Sequence, residues 1–400
     1  SKPIAPAIVW QDRRTATYCE TLKAAGHEAK VQDETGLLLD PYFSGTKLRW
    51  VLENVKGARE RAGELAFGTI DTFLLWHLTG GKAHASDVTN ASRTLLYRLG
   101  LGADAGWSAE MARLLDVPAS MLPEVKASAA DYGLTDPALF GRAIPICSVL
   151  GDQQSALVGQ ACLAPGQAKV TFGTGAFLVA NTGARRPASQ NRLLGTVGYE
   201  LPGAAAMALE GSIFNAGTVI KWLRDDLKLI PRAEDSAAMA ASLPDNGGVY
   251  MVPAFTGLGA PHWSAEARGV IAGLTRAATA AHLVRAGLES VAYQTHDLLD
   301  AFAGDGAPIA ELRVDGGMVA NDWLMQFLAD ICAIPVFRPD YREMTALGAA
   351  AAAAMQLGWI TAESWAARDV PGKRFTPKMP AEQRAGLLKG WSAALSRTLA

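Results

Sequence analysis

The chain has 400 residues, 50% of them hydrophobic and 19% charged, with a formal net charge of −2. That length exceeds what one hydrophobic core serves, so two domains with a ligand cleft between them are expected, and the near-neutral charge removes the electrostatic reason for a nucleic-acid or anionic-membrane partner. Cys19, Cys147, Cys162 and Cys332 have no C-x-x-C spacing, which argues against a zinc site or a disulfide framework and for reduced thiols in the cytoplasm.

In chain order, Ile4 to Trp10 reads as a short strand that runs into the polar cluster Gln11-Asp12-Arg13-Arg14-Thr15, followed by a helix pattern to Ala25. The cluster is either the polar end of a site or an exposed turn. Asp40 to Thr46 is dense in turn residues and precedes the amphipathic start Lys47-Leu48-Arg49-Trp50-Val51-Leu52. Its aromatics, Tyr42 and Phe43, suit a pocket wall or the packing of a helix entry. Thr69 and Ser108 are N-cap candidates for two scaffold helices. His77 and His84 have no evident partner ligands, so no metal site is expected there.

The centre of the chain is richer. Ile144 to Leu150 is an apolar run, read as a strand, that delivers Gly151-Asp152-Gln153-Gln154 to the start of a helix. Farther on, the strand-like runs Val170 to Phe172 and Ala176 to Val179 flank Gly173-Thr174-Gly175, whose missing side chains leave backbone N–H groups free to approach an anion. A carboxylate at a strand end and a phosphate cradle are the parts needed to move a phosphoryl group onto a hydroxyl. Each also has an ordinary reading, Asp152 as a helix cap or turn residue and G-T-G as a plain hairpin turn.

Ala205 to Leu209 reads as a strand, and Gly211-Ser212 as the entry to a helix in which Gly217 costs about 1 kcal/mol relative to Ala. Either a ligand or a packed helix therefore comes close to that backbone. Val249 to Pro253 is a strand candidate followed by a Gly/Pro loop, and Val270 to Leu274 precedes a long helix, Ala281 to Phe302, with one apolar face. Leu312 to Val314 enters Asp315-Gly316-Gly317-Met318-Val319-Ala320-Asn321 and a helix, a turn that suits a nucleotide or serves as an ordinary connection. Pro335 to Arg338 is a last strand. Met344 to Leu357 is an Ala-rich helix too short to span a bilayer, and Ala381 to Leu399 is a terminal helix opened by Pro380.

Together these stretches resemble the FGGY carbohydrate kinases, in the family's order and over nearly the whole chain. Tyr42 to Asn54 fits the family's first signature at each position, and Gly269 to Glu289 fits the second except at Gly287, where a larger residue is usual. The strings I-V-W-Q-D-R-R-T, G-D-Q-Q, P-A-F-T-G-L-G-A-P and V-D-G-G-M-V-A-N are those of members that act on glycerol. The resemblance implies an α/β, actin-like ATPase fold of two ribonuclease-H-like domains around a cleft. Residues 1–160 would form the polyol side, and residues 161–400 the nucleotide side with its terminal helix. It implies transfer of the γ-phosphoryl group of ATP, carried with Mg, to glycerol, giving sn-glycerol 3-phosphate and ADP.

Residue by residue, Asp152 matches the family's general base and Gln153 a glycerol contact, while Trp10, Tyr42 and Phe177 match pocket residues around glycerol. Thr174, Gly217, Gly317 and Asn321 match ATP contacts, and Lys221 stands at an ATP-contact position where Gln is usual. The alternatives are a family member acting on a larger polyol or a ketose, an actin-like nucleotide-binding protein, and an inactive fragment. A homo-oligomer is compatible with any of them.

Two further expectations come from the resemblance. Family members open with a strand hairpin carrying a D-x-G-T loop and later an Arg-Glu pair that grips glycerol; Asp131 to Thr135 only imitates the first, and the second is not found. The chain is therefore expected to be an internal piece of a longer polypeptide, with an incomplete first domain, weak nucleotide binding and little activity by itself. Asp136 to Arg142 has one Gly and one Arg where some bacterial members bind fructose 1,6-bisphosphate on a Gly- and basic-rich loop, so no inhibition by that ligand is expected.

Overall fold

A computed structural model describes residues 2–400. Its backbone is a mixed sheet of seven strands: β1 (Ala168–Phe172), β2 (Ala176–Gly183), β3 (Leu194–Leu201), β4 (Ala204–Ile213), β5 (Leu312–Asp315), β6 (Val336–Pro339) and β7 (Gly372–Phe375). They lie in the order β7-β6-β5-β1-β2-β4-β3. The strands from β1 to β3 pair antiparallel, and β5 runs parallel to both β1 and β6. Both faces are covered, so the strands read as nearly continuous apolar runs. Leu178 and Ala180 of β2 enter the core on one face and Val179 the core on the other, as the two-residue period of a strand requires.

Seven helices frame the cleft and its supports: α1 (Ser44–Asn54), α2 (Asp152–Gly159), α3 (Gly217–Asp225), α4 (Ala280–Gly304), α5 (Asp322–Cys332), α6 (Met344–Gln356) and α7 (Ala381–Leu399). Val219, Leu223, Val284, Leu288, Leu324, Phe327 and Trp391 from α3, α4, α5 and α7 fill the larger core. Gly287 of α4 explains itself there, because a Cβ would stand 2.9 Å from Leu223 Cδ1 and 3.0 Å from Val219 Cγ1. On the other face α2 crosses α6 with almost no space between the backbones. A Cβ on Gly348 would overlap the Ser155 carbonyl, and one on Gly159 the Met344 carbonyl. The Ala-rich composition of α6 is the cost of that crossing, and Ser155 Oγ donates to the Thr345 carbonyl at 2.6 Å to fix it.

The first domain is mostly helix and loop. Its core gathers Leu37, Leu39, Phe43, Leu48, Leu52, Leu95 and Met111, and Leu194 of β3 joins it, so the β3 edge is where the domains meet. Two predicted strands are absent. Residues 4–10 are irregular, with Ile4 and Val9 40% and 59% exposed, because no strand among the described residues lies alongside to pair with them. Residues 144–150 make only isolated bridges, Leu134 to Pro145 and Ala129 to Ser148, and Pro145 has no N–H to extend a ladder. The helix expected after Ser212 also begins later, because β4 continues through Ile213 and α3 opens at Gly217. The terminal helix has the predicted span, and the long helix begins one residue earlier and ends two residues later.

Candidate active site

Asp152 is the first residue of α2, after Gly151 in extended conformation, and its carboxylate is exposed at the positive end of that helix. Oδ1 accepts from the Gln153 backbone N–H at 2.8 Å and Oδ2 from Gln153 Nε2 at 3.1 Å. Thr89 Oγ1 accepts from the Gly151 N–H at 2.8 Å and anchors the turn from below. Asp152 is thus a helix-start residue and a carboxylate open to a ligand at once.

The Asp152 carboxylate acts on the phenol of Tyr42, one ring of an aromatic cluster. The ring of Trp10 meets Tyr42 edge-on at 5.5 Å and Phe177 edge-on at 5.8 Å, so three residues from distant parts of the sequence share one wall. Phe214 lies 6.3 Å from Trp10 and 6.0 Å from Trp263, which extends the wall with two rings that sequence reasoning missed. Trp263 sits in an irregular loop with no local signal. Burial pushes the Tyr42 phenol above the ordinary tyrosine range, with the Glu210 and Asp152 carboxylates adding to the shift and Arg93 opposing it.

The polar cluster after Trp10 holds this wall rather than touching its interior. Lys47 Nζ donates to the Val9 carbonyl at 2.6 Å and to the Tyr42 carbonyl at 3.4 Å, tying the Trp10 segment to the Tyr42 loop. Burial lowers the Lys47 ammonium to about 8 against the pull of Asp12 and Asp40. Arg13 pairs with Asp40 at 3.3 Å, and Asp40 Oδ1 accepts the Tyr42 N–H at 2.8 Å. Asp12 and Arg14 form an exposed pair at 2.7 Å, and hydrogen bonds from Arg14 hold Asp12 down to about 2.

Of the residues expected to contact nucleotide, Thr174, Gly217 and the Gly316-Gly317 turn come together. Gly173-Thr174-Gly175 is the turn between β1 and β2, and it leans on the start of α3, where the N–H groups of Ala216, Gly217 and Thr218 donate to the Thr174, Gly173 and Thr174 carbonyls at 3.0, 2.9 and 3.2 Å. Gly217 is glycine because a Cβ would lie 2.5 Å from the Gly173 oxygen, so the close approach is that of the turn itself. Met318 Sδ lies 3.8 Å from the same point, which brings the Gly316-Gly317 turn to this junction. Gly316 has φ 94°, and its missing side chain clears the backbone of Phe172. Gly317 faces open space, room for a flat ring. Asn321 Oδ1 caps α5 by accepting from the Leu324 N–H at 3.0 Å.

Lys221 is exposed one turn beyond Gly217. It lines a pocket of about 620 Å³ with Thr218, Trp222, Phe255 and Arg268, none of which belongs to the Trp10–Tyr42–Phe177 wall. Among the described residues no cluster of three His, Cys, Asp or Glu side chains is placed to hold a metal ion. Two buried charged residues of this region were missed, Lys169 on β1 and Glu210 on β4, as was the half-buried Arg93, which pairs with Glu210 at 2.6 Å. A charge inside an apolar strand run, as in A-K-V-T-F or A-L-E-G-S, was the available signal for the first two.

Comparison with known proteins gives the family and the fold. Residues 1–159 match the N-terminal domain of the FGGY family of carbohydrate kinases and residues 168–357 its C-terminal domain. Glycerol kinase 1 of Pseudomonas aeruginosa is 54% identical over 401 residues, 98% of this chain and 80% of its own length. A glycerol kinase of Rhodospirillum centenum is 56% identical over 404 residues, 99% of this chain and 80% of its own. Among solved structures, Plasmodium falciparum glycerol kinase with ADP superposes with a TM-score of 0.89 at 35% identity, covering 100% of this chain and 80% of that one. A ligand-bound xylulose kinase from Lactobacillus acidophilus shares the fold at a TM-score of 0.83 and 20% identity, over 97% of this chain and 78% of its own. An actin-like, two-domain α/β architecture with these signatures along its whole length leaves one assignment: the chain belongs to the FGGY family of carbohydrate kinases.

Proposed function

We propose that this site transfers the γ-phosphoryl group of ATP to glycerol, giving glycerol 3-phosphate and ADP. The observation that carries the reading is the exposed Asp152 carboxylate with Gln153, which Lys169 joins to Phe177, a ring of the aromatic wall on the strand that leaves the glycine turn. A triol of three carbons presents C–H faces that suit Trp10, Tyr42 and Phe177, and hydroxyls that suit Asp152 and Gln153. Relatives named glycerol kinase, identical at more than half of the aligned positions, support that acceptor over a ketose.

An alcohol is a weak nucleophile near pH 7. Asp152 accepts its proton as the oxygen attacks the γ-phosphorus and the bond to the bridging oxygen of ADP breaks, while positioning and charge neutralisation supply the rest. Thr174 and the turn glycines approach the phosphates, and Gly217, Gly317, Asn321 and Lys221 border the nucleoside. Mg carried with ATP would supply neutralisation of phosphate charge when bound, and Asp152, the exposed carboxylate of this site, is the side chain that would hold it. Residues 1–160 contribute the polyol side and residues 161–400 the nucleotide side, and a cytoplasmic setting accords with four free cysteines.

The test is a coupled ADP-release assay on this polypeptide with glycerol, xylulose, ribitol or no acceptor. Glycerol-dependent release supports the reading and removes the expectation of weak turnover. A higher rate with xylulose, or release without any acceptor, overturns it.

A further inference from the structure

Lys169 lies in β1 with its side chain 0% exposed, and taking an ammonium out of water costs several kcal/mol unless its donors are satisfied. They are satisfied by the site. Nζ donates to Gln153 Oε1, to Thr171 Oγ1 at 2.9 Å and to the Phe177 carbonyl at 3.5 Å. Asp315, near the same ammonium, accepts from Gln160 Nε2 through Oδ2 at 3.0 Å. Burial lowers the ammonium below the ordinary lysine range, and the carboxylates of Asp315, Asp152 and Glu210 pull it back.

We infer that Lys169 is a positioning residue for the acceptor alcohol, acting through the amide of Gln153. An ammonium only donates, so the amide oxygen of Gln153 must face Lys169 and its NH₂ must face the cleft. One N–H of that group goes to Asp152 Oδ2, which leaves the other for the acceptor. A hydroxyl that accepts from this N–H turns its own proton away from Gln153 and toward the neighbouring carboxylate. Lys169 therefore sets the direction in which the alcohol gives up its proton, and by holding the Phe177 carbonyl it fixes one ring of the aromatic wall as well. This rests on the reading of glycerol as acceptor and Asp152 as base.

The experiment is a double-mutant cycle of Lys169→Met and Gln153→Ala, with glycerol affinity by calorimetry and steady-state kinetics, alongside Asp152→Asn. Lys169→Met is expected to weaken glycerol binding and raise the glycerol KM about tenfold, the size seen when a buried acceptor loses its donor, while the MgATP KM stays within about twofold. In the Gln153→Ala background it should add less than about twofold, because the partner it acts through is gone. Additive effects, or equal rises in both KM values, overturn the inference, since a merely structural lysine gives that pattern. Should Lys169→Met fail to fold, Thr171→Val removes one of its partners at constant volume and must raise the glycerol KM alone. If Asp152→Asn turns over at the parent rate, the functional reading fails; if it is inactive and Lys169→Met leaves glycerol affinity unchanged, only this inference fails. No binding of glycerol by the parent protein overturns both.

Discussion

Arg93, in the first domain, donates through Nη2 to Glu210 Oε1 on β4 of the second at 2.6 Å, so one ion pair spans the two bodies behind the ring of Tyr42. Glu210 is 1% exposed and also accepts from Ser212 Oγ at 3.1 Å, while the guanidinium lies 5.4 Å from the Phe43 ring and 5.8 Å from that of Tyr42. Removing one partner of such a pair leaves a buried charge alone. Arg93→Met is expected to cost about 3–5 kcal/mol in urea unfolding, and Arg93→Met with Glu210→Leu clearly less than Arg93→Met alone. A double-variant cost equal to the sum of the Arg93→Met and Glu210→Leu costs would mean that the pair is not energetically coupled.

The proposed base, Asp152, is separable from the scaffold. Asp152 is exposed and Asn has nearly its shape, so Asp152→Asn should leave the melting temperature unchanged and lower kcat by about 10²–10⁴, read in single-turnover phosphoryl transfer.

Two glycines of the nucleotide side should behave differently. Gly217→Ala drives a methyl against the Gly173 carbonyl and is expected to destabilise by about 1–3 kcal/mol as well as raise the MgATP KM. Gly317→Ala meets nothing in the protein, so its effect should be confined to the MgATP KM. Thermal melts beside ATP titrations separate the two.

Lys47 predicts a pH dependence with a definite sign. Its folded pKa is about 8 against an ordinary lysine value of 10.5, so the unfolded chain binds the proton more tightly. The penalty for the buried charge is full below pH 8 and is relieved as pH rises from 8 to 10.5. Unfolding free energy of the parent minus that of Lys47→Met should therefore rise across that window; a flat difference would show that Lys47 titrates normally.

Much of the fold and the site was legible in the residues alone. The Gly173-Thr174-Gly175 turn, the Gly316-Gly317 turn and the long and terminal helices announced themselves because glycine placement and helical periodicity are local properties. Trp10, Tyr42 and Phe177 could be grouped only through a family resemblance, since nothing in residues 10, 42 and 177 by themselves says that they meet. Residues 4–10 and 144–150 misled for a related reason: an apolar run carries strand propensity, but a strand exists only where a neighbour completes its ladder. Lys169 and Glu210 went unread because a charge in a buried strand declares an unusual environment without naming its partner across the sheet.

The crossing of α2 and α6 bears on how the reaction is timed. Leu157 and Val158 of α2 share a core with Val179, Ala208 and Ala352, so the helix that begins at Asp152 is bonded to the sheet that carries the phosphate turn. Trp10 and Tyr42 ride on the other body. The carboxylate and the turn therefore hang on one packed core, although α2 falls within the first 160 residues. We propose that this shared core sets the alignment of Asp152 with the phosphate turn, and that movement on the Trp10–Tyr42 side admits the alcohol and shuts out water.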